Sequence, residues 1–219
     1  MAETDLQELA DSIVSTTPGL PAAEAVASWK PSLNGDIDIR IASDGSWHHC
    51  GSPIQREGLL RLFASILRRE DDGDFYLVTP VEKWRIRVDR HPLLAIDCDH
   101  QADGDENGHE NGHEKGHENS SDGVWYVLLN TGGSCRLGGA VALHVDAAPG
   151  DGSEVHGCQR KREGKLKDNP LPWVALPNGL SAQLTRAAWY RLVEAATVDG
   201  EHAFITSAGE RIGLGRVTS

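Results

Sequence analysis

Ile37, Ile39 and Ile41 alternate with Asp38 and Arg40, and Trp84, Ile86 and Val88 alternate with Lys83, Arg85 and Arg87. Successive side chains of a strand point to opposite faces, so each run predicts a strand with one apolar and one wet face. That pattern commits the chain to a sheet covering a core on one side only, the habit of antiparallel sheets. Ser43-Asp44-Gly45 turns the first strand back into residues 47–50. Further strands are predicted over 75–79, 93–98, 124–130, 140–146, 173–176, 203–206 and 211–214, with Pro177-Asn178-Gly179 as a turn.

Three segments carry the helical period instead. Residues 4–14 repeat apolar side chains at Leu6, Leu9, Ile13 and Val14. Ser52-Pro53 has the form of an N-cap and first turn for a helix over 52–69, and Ser181 caps another predicted to run to about 196. Strands and helices in these proportions predict an α+β protein. The succession Gly51, helix, acidic-Gly break, aromatic strand, Thr79 is echoed by Gly179, helix, Asp199-Gly200, aromatic strand, Thr206. Two similar α+β units packed together are the expectation. Residues 1–34 form a helical extension, 35–90 the first unit and 91–219 the second.

At 219 residues the chain can bury roughly 70% of the surface its unfolded form exposes. Its formal charge of −12 is concentrated: residues 97–122 carry nine acids and one base. That stretch holds Asn-Gly-His-Glu twice and Lys-Gly-His-Glu once, with almost nothing apolar. It cannot bury enough surface to offset ordering, and 99–123 is read as a solvated, mobile insertion. A second polar loop, basic this time, is expected over 150–168. His109-Glu110-Asn111-Gly112-His113 matches a zinc-protease spacing, but the glycine and the lack of an apolar face leave no rigid helix to hold a metal. No metal or cofactor is expected. No nucleotide-loop glycine motif or nucleophile elbow occurs, and no catalytic residue is assigned.

The acidic start and the absence of a long apolar run predict a cytoplasmic protein with no membrane span. The four cysteines, at 50, 98, 135 and 158, have no zinc-knuckle or redox spacing and are expected as free thiols. Without a basic surplus, no nucleic-acid polymer is expected as a partner. A local basic cluster does stand out: Lys83, Arg85 and Arg87 on one strand face, with Arg61, Arg68 and Arg69 from the preceding helix. Such a row is either the outer face of a sheet balanced by carboxylates or an anion site for which arginine forks are suited.

The phrases Gly51-Ser-Pro-Ile54, Leu62-Phe-Ala-Ser-Ile-Leu-Arg-Arg-Glu70 and Tyr76-Leu-Val-Thr-Pro-Val-Glu-Lys83 resemble the bacterial domain of unknown function 1285 family. The likeness is strong over 35–97 and patchier over 124–145 and 170–214, where Leu184-Thr-Arg186-Ala and Trp189-Tyr190 carry it. The resemblance implies a duplicated core, a second domain superficially like a pleckstrin-homology roll, and a nucleotide-type ligand at the domain interface with a role in signalling. On matching positions it implies Arg68, Thr79, Glu82 and Lys83 from the first unit and Arg186 from the second as ligand-binding residues. A regulatory protein binding a small anionic ligand is therefore the leading reading. The alternatives are an enzyme acting on a phosphorylated small molecule, with Glu82 as acid or base, and a protein-interaction scaffold using the Trp189-Tyr190 helix.

Overall fold

Strands with one wet face need a core to cover, and the chain supplies two. The computed structural model describes residues 6–16, 19–102, 123–145 and 171–217. Its first half begins with α1 (Leu6–Thr16) and α2 (Ala23–Ser28), followed by β1 (Leu33–Ile41), β2 (Trp47–His49) and β3 (Ser52–Pro53). Then come α3 (Glu57–Ser65), β4 (Leu67–Arg69), β5 (Phe75–Val78) and β6 (Lys83–Val88). The second half contains β7 (Leu93–Gln101), β8 (Val124–Leu129), β9 (Ser134–Arg136), β10 (Leu143–His144), β11 (Trp173–Ala175) and β12 (Ser181–Leu184). It closes with α4 (Arg186–Glu194), β13 (Thr197–Asp199), β14 (His202–Ser207) and β15 (Glu210–Arg216). The class is mixed α+β, with few helices and large curled sheets.

The first sheet runs β3-β2-β1-β6-β5-β4 and the second β10-β11-β12-β7-β8-β9. In each, the outermost neighbours pair antiparallel while the two central strands, β1 with β6 and β7 with β12, are parallel. The helices fall differently: α3 lies between the third and fourth strands of its sheet, whereas α4 follows the sixth of its own. A third sheet, β13-β14-β15, packs Ala203, Ile205, Ile212 and Leu214 onto the second core.

The first core gathers Ile37, Ile39, Ile41, Trp47, Phe63 and Leu67, and α1 inserts the fully buried Ile13. The second gathers Ala95, Trp125, Val127, Leu184, Leu192 and Ile205, and Leu180 touches both. At the seam, the β1–β2 turn presses Gly45 against Leu94 and Asn130. A side chain at Gly45 would meet Leu94 at 2.7 Å, and φ there is +79°, so only glycine fits.

Two of the predicted helices are shorter than the pattern suggested. Ser52-Pro53 is not an N-cap but a strand pairing with His48 and His49, and the helix expected over 52–69 occupies only Glu57–Ser65. Its last predicted turn became β4, because Leu67 gains burial opposite Leu77 in the sheet. Arg68 and Arg69 therefore project from a strand. Likewise Ser181 opens β12, not α4, and Thr185 is the cap, accepting from the Ala188 N–H at 3.2 Å. Ala182, Gln183 and Leu184 are all buried, so this strand shows no alternation to read. The strand expected over 140–146 is cut to β10, and the His109–His113 motif and Cys158 lie outside the described residues.

Candidate functional site

Where the halves meet, a cleft of about 590 Å3 opens between α2, β4 and the turn at Pro177–Gly179. The first half supplies Trp29, Lys30, Arg68 and Arg69 and the acidic turn that starts at Glu70; the second supplies Asn178. Antiparallel pairing of Arg68 with Tyr76 and Arg69 with Phe75 fixes β4. The following turn is held by the Asp74 N–H donating to Asp72 Oδ1 at 2.9 Å and by Gly73 at φ +86°. Asn178 sits in the left-handed region at φ 59°, which asparagine tolerates, and its Nδ2 donates to the Ala23 carbonyl at 3.1 Å. Gly179, at φ +69°, would bring any side chain to 3.1 Å from the Arg69 carbonyl oxygen.

Arg68 is almost fully engaged. One Nη donates to the carbonyls of Val26 and Trp29 at 2.9 Å each, tying off the end of α2, and the other meets Glu70. Lys83 approaches the same carboxylate from β6 at 2.9 Å and lies 4.8 Å from the centre of the Tyr76 ring. The side chains of Arg68, Lys83 and Glu70 are only 13%, 17% and 24% exposed. Partial burial pushes the Glu70 carboxyl up, but the hydrogen bonds from Lys83 and Arg68 outweigh it and hold the group below its usual range. Tyr76 donates to Asp72 at 2.6 Å. Burial and that carboxylate push the tyrosine up, and the bond from Tyr76 pulls Asp72 down.

The anion that the cation pattern called for is thus part of the chain. Glu70 stands between Arg68 and Lys83, and the cleft wall carries three bases (Lys30, Arg68, Arg69) and three acids (Glu70, Asp71, Asp72). The outer cations are matched in the same way. Parallel pairing sets Asp36 beside Arg85, whose guanidinium donates to it at 2.7 and 3.0 Å and to Asp74 at 3.2 Å, and Arg87 meets Asp38.

Of the residues expected at the site, the structure brings Arg68 and Lys83 together through Glu70. Thr79 is buried and shapes the β5–β6 turn, its Oγ1 accepting from the Val81 and Glu82 N–H groups at 3.3 and 2.9 Å. Glu82 accepts from Ser12 of α1 at 3.2 Å and from the Trp84 indole at 3.4 Å. Neither lines the cleft. Arg186 is exposed at the first position of α4, a helix packed on β7 and β12, and is not part of the cleft wall. Asn178 reads in the sequence only as part of a turn, and Trp29 and Lys30, just past α2, escaped sequence reasoning because that helix has only six residues and no period to detect. The signal that could have found it is Pro21 and Pro31 bracketing an alanine-rich stretch. Among the described residues, no three His, Cys, Asp or Glu side chains cluster to hold a metal, and no helix is long and apolar enough to cross a membrane.

A crystal structure of a DUF1285 family protein from Silicibacter pomeroyi DSS-3 is similar over 99% of this chain and 97% of that one, at 32% identity and a TM-score of 0.69. The chain belongs to the domain of unknown function 1285 family. The family's N-terminal domain, described as a domain of unknown function, matches residues 24–91, from α2 to just past β6. A DUF1285 family protein from Shewanella baltica OS155 is 24% identical, covering 72% of this chain and 91% of its own, with a TM-score of 0.44. No curated protein matches the chain.

Proposed function

We propose that this chain is a regulatory binding module that takes a small anionic, nucleotide-type ligand in the cleft between its halves. The observation that carries this reading is one cleft whose wall combines Trp29, the cations Lys30 and Arg69, and the carboxylates of Asp71 and Asp72. A nucleotide presents the complementary parts: a ring to stack, a phosphate for the cations, and amine and hydroxyl donors for the carboxylates. A bare anion would meet a cleft whose formal charges cancel; a ligand with donors as well would not. Arg68 and Lys83 act behind the site by fixing Glu70. Because the ligand would touch α2 and β4 of one half and the Asn178 turn of the other, binding would bias how the halves sit, which is what a regulator requires.

The same reading includes a duplicated core, on the strength of the shared strand order of the two large sheets, with a roll-like second half. It favours binding over catalysis, since Glu70 and Asp72 are held by Arg68, Lys83 and Tyr76, an arrangement that fixes charge. A thermal-shift screen of nucleoside mono- and diphosphates tests it. A ligand at 100 times its Kd adds about 2.7 kcal/mol. Lys30→Ala and Arg69→Ala should shrink the shift, and Trp29→Ala should shrink it most. No shift with any nucleotide contradicts the proposal.

A second reading, a protein-interaction surface on α4, is favoured by Tyr190 and Val193, 59% and 42% exposed and one turn apart. Trp189, by contrast, packs against the second core. Tyr190→Glu would abolish capture of a partner while leaving the nucleotide response intact.

A further inference from the structure

The face of the third sheet that points away from the core holds a cavity of about 560 Å3 with a different character from the cleft. Ala203, Ile205, Ile212 and Leu214 turn inward to the second core. The alternation therefore leaves His202, Phe204, Arg211 and Gly213 on the outer side. Asp199, His202 and Arg216 are cross-strand neighbours in one row. Arg211 reaches back across the sheet, its guanidinium 3.8 Å from the centre of the Phe204 ring and 3.1 Å from Asp199. That stack and ion pair hold the fork of Arg211 in one orientation, and they do so in the open: Arg211 and Asp199 are 62% and 70% exposed.

The floor of the cavity is backbone. Gly213 faces Phe204 across the ladder with open space where a side chain would be, and Gly215 sits at a bulge with φ +120°. Val145 closes the far end, within 3.9 Å of where a Gly215 side chain would start. A ligand can thus lie flat on the strands, its apolar body between Phe204 and Val145.

We propose that this trough is a binding site for the phosphate group of a small organic phosphate monoester. Two guanidinium groups and an imidazole share the trough with one carboxylate, a cationic surplus on a chain whose formal charge is −12. A phosphate monoester carries about −1.5 to −2 charge near neutral pH and accepts hydrogen bonds through three oxygens, matching Arg211, Arg216 and His202. A carboxylate carries about half that charge and so gains about half as much from the net cationic surplus of the trough, which therefore favours phosphate. This site is independent of the nucleotide cleft and shares no residue with it.

Isothermal titration of the full chain with phenyl phosphate tests the assignment, with benzoate as the singly charged control. Phenyl phosphate should bind at one site, with benzoate roughly tenfold weaker, and Arg211→Ala and Arg216→Ala should each weaken phenyl phosphate roughly tenfold. Gly213→Val, which fills the floor at an unstrained position without removing a charge, should abolish binding while leaving the melting temperature near that of the parent. Lys30→Ala and Arg69→Ala should leave it unchanged, which separates failure here from failure of the cleft. The proposal is overturned by no binding at millimolar phenyl phosphate, by equal binding of benzoate, or by binding that survives Arg211→Ala and Gly213→Val.

Discussion

The cleft between the halves and the trough on the third sheet are alike in size but differ in how exposed and how balanced their charges are. At the cleft, Arg68 in the wall and Lys83 behind it are largely buried and share one carboxylate, Glu70, while Arg68 also ties off α2. In the trough, Arg211 meets Asp199 in a well-exposed pair, and Arg216 has no carboxylate at its cross-strand position. The lesson is that a row of cations in a sequence says nothing about ligands until the fold shows whether the counter-charge is internal. A buried cation that is paired within the chain is part of the frame. An exposed cation such as Arg211, paired with Asp199 but still open to solvent, can share its guanidinium with a second anion.

Removing Glu70 should have the largest effect on that contrast. Breaking a fully buried pair costs about 3–5 kcal/mol; with roughly a fifth of each partner still wet, Glu70→Gln should cost about 2 kcal/mol in urea unfolding. It should also make the protein responsive to inorganic phosphate at the cleft, because Arg68 and Lys83 would lack their anion. Equal stabilisation of parent and variant by phosphate would break the contrast.

Gly179→Ala should follow at about 1–2 kcal/mol, since the residue is both left-handed and pressed against the Arg69 carbonyl. It should weaken nucleotide binding at the cleft and leave phenyl phosphate untouched.

The acid limb of stability gives a smaller effect with a defined sign. Glu70 is lowered from its usual 4.5 in the folded protein, so its stabilisation is complete above that value and is lost as pH falls through the folded one. Asp72, lowered from 3.8, acts in the same direction. Unfolding curves from pH 6 to pH 3 should therefore fall more steeply for the parent than for Glu70→Gln. Smallest of all, Arg87→Ala should change stability by less than about 0.5 kcal/mol, because the Arg87–Asp38 pair is 71% and 51% exposed.

What the sequence made legible follows from which forces act locally. β1 and β6 could be read because one face of each is wet, and the Ile37-Ile39-Ile41 stripe does enter the first core. β12 could not, because burial on both faces erases the alternation. The cations of β6 were visible, but their partners were not. Asp36 and Arg85 lie 49 positions apart and meet only because β1 and β6 pair in parallel, which no local pattern encodes. Arg68 lies on a strand beside the cleft, not on the predicted helix, because Leu67 gains burial in the sheet. The trough depends on the register of Phe204 with Gly213, and Gly213 in the sequence looks like any other glycine of a hairpin.

Trp29 is one of six tryptophans, and the only one in the cleft wall, so its indole N–H resonance reports on the cleft directly. Titration of the uniformly 15N-labelled chain with a nucleoside monophosphate, with Trp29→Phe to assign the peak, should move the Trp29 signal to saturation while the signals of Trp47 and Trp173 stay in place. A Trp29 signal that does not respond, or a response confined to Trp173, would contradict a nucleotide-type ligand between the halves.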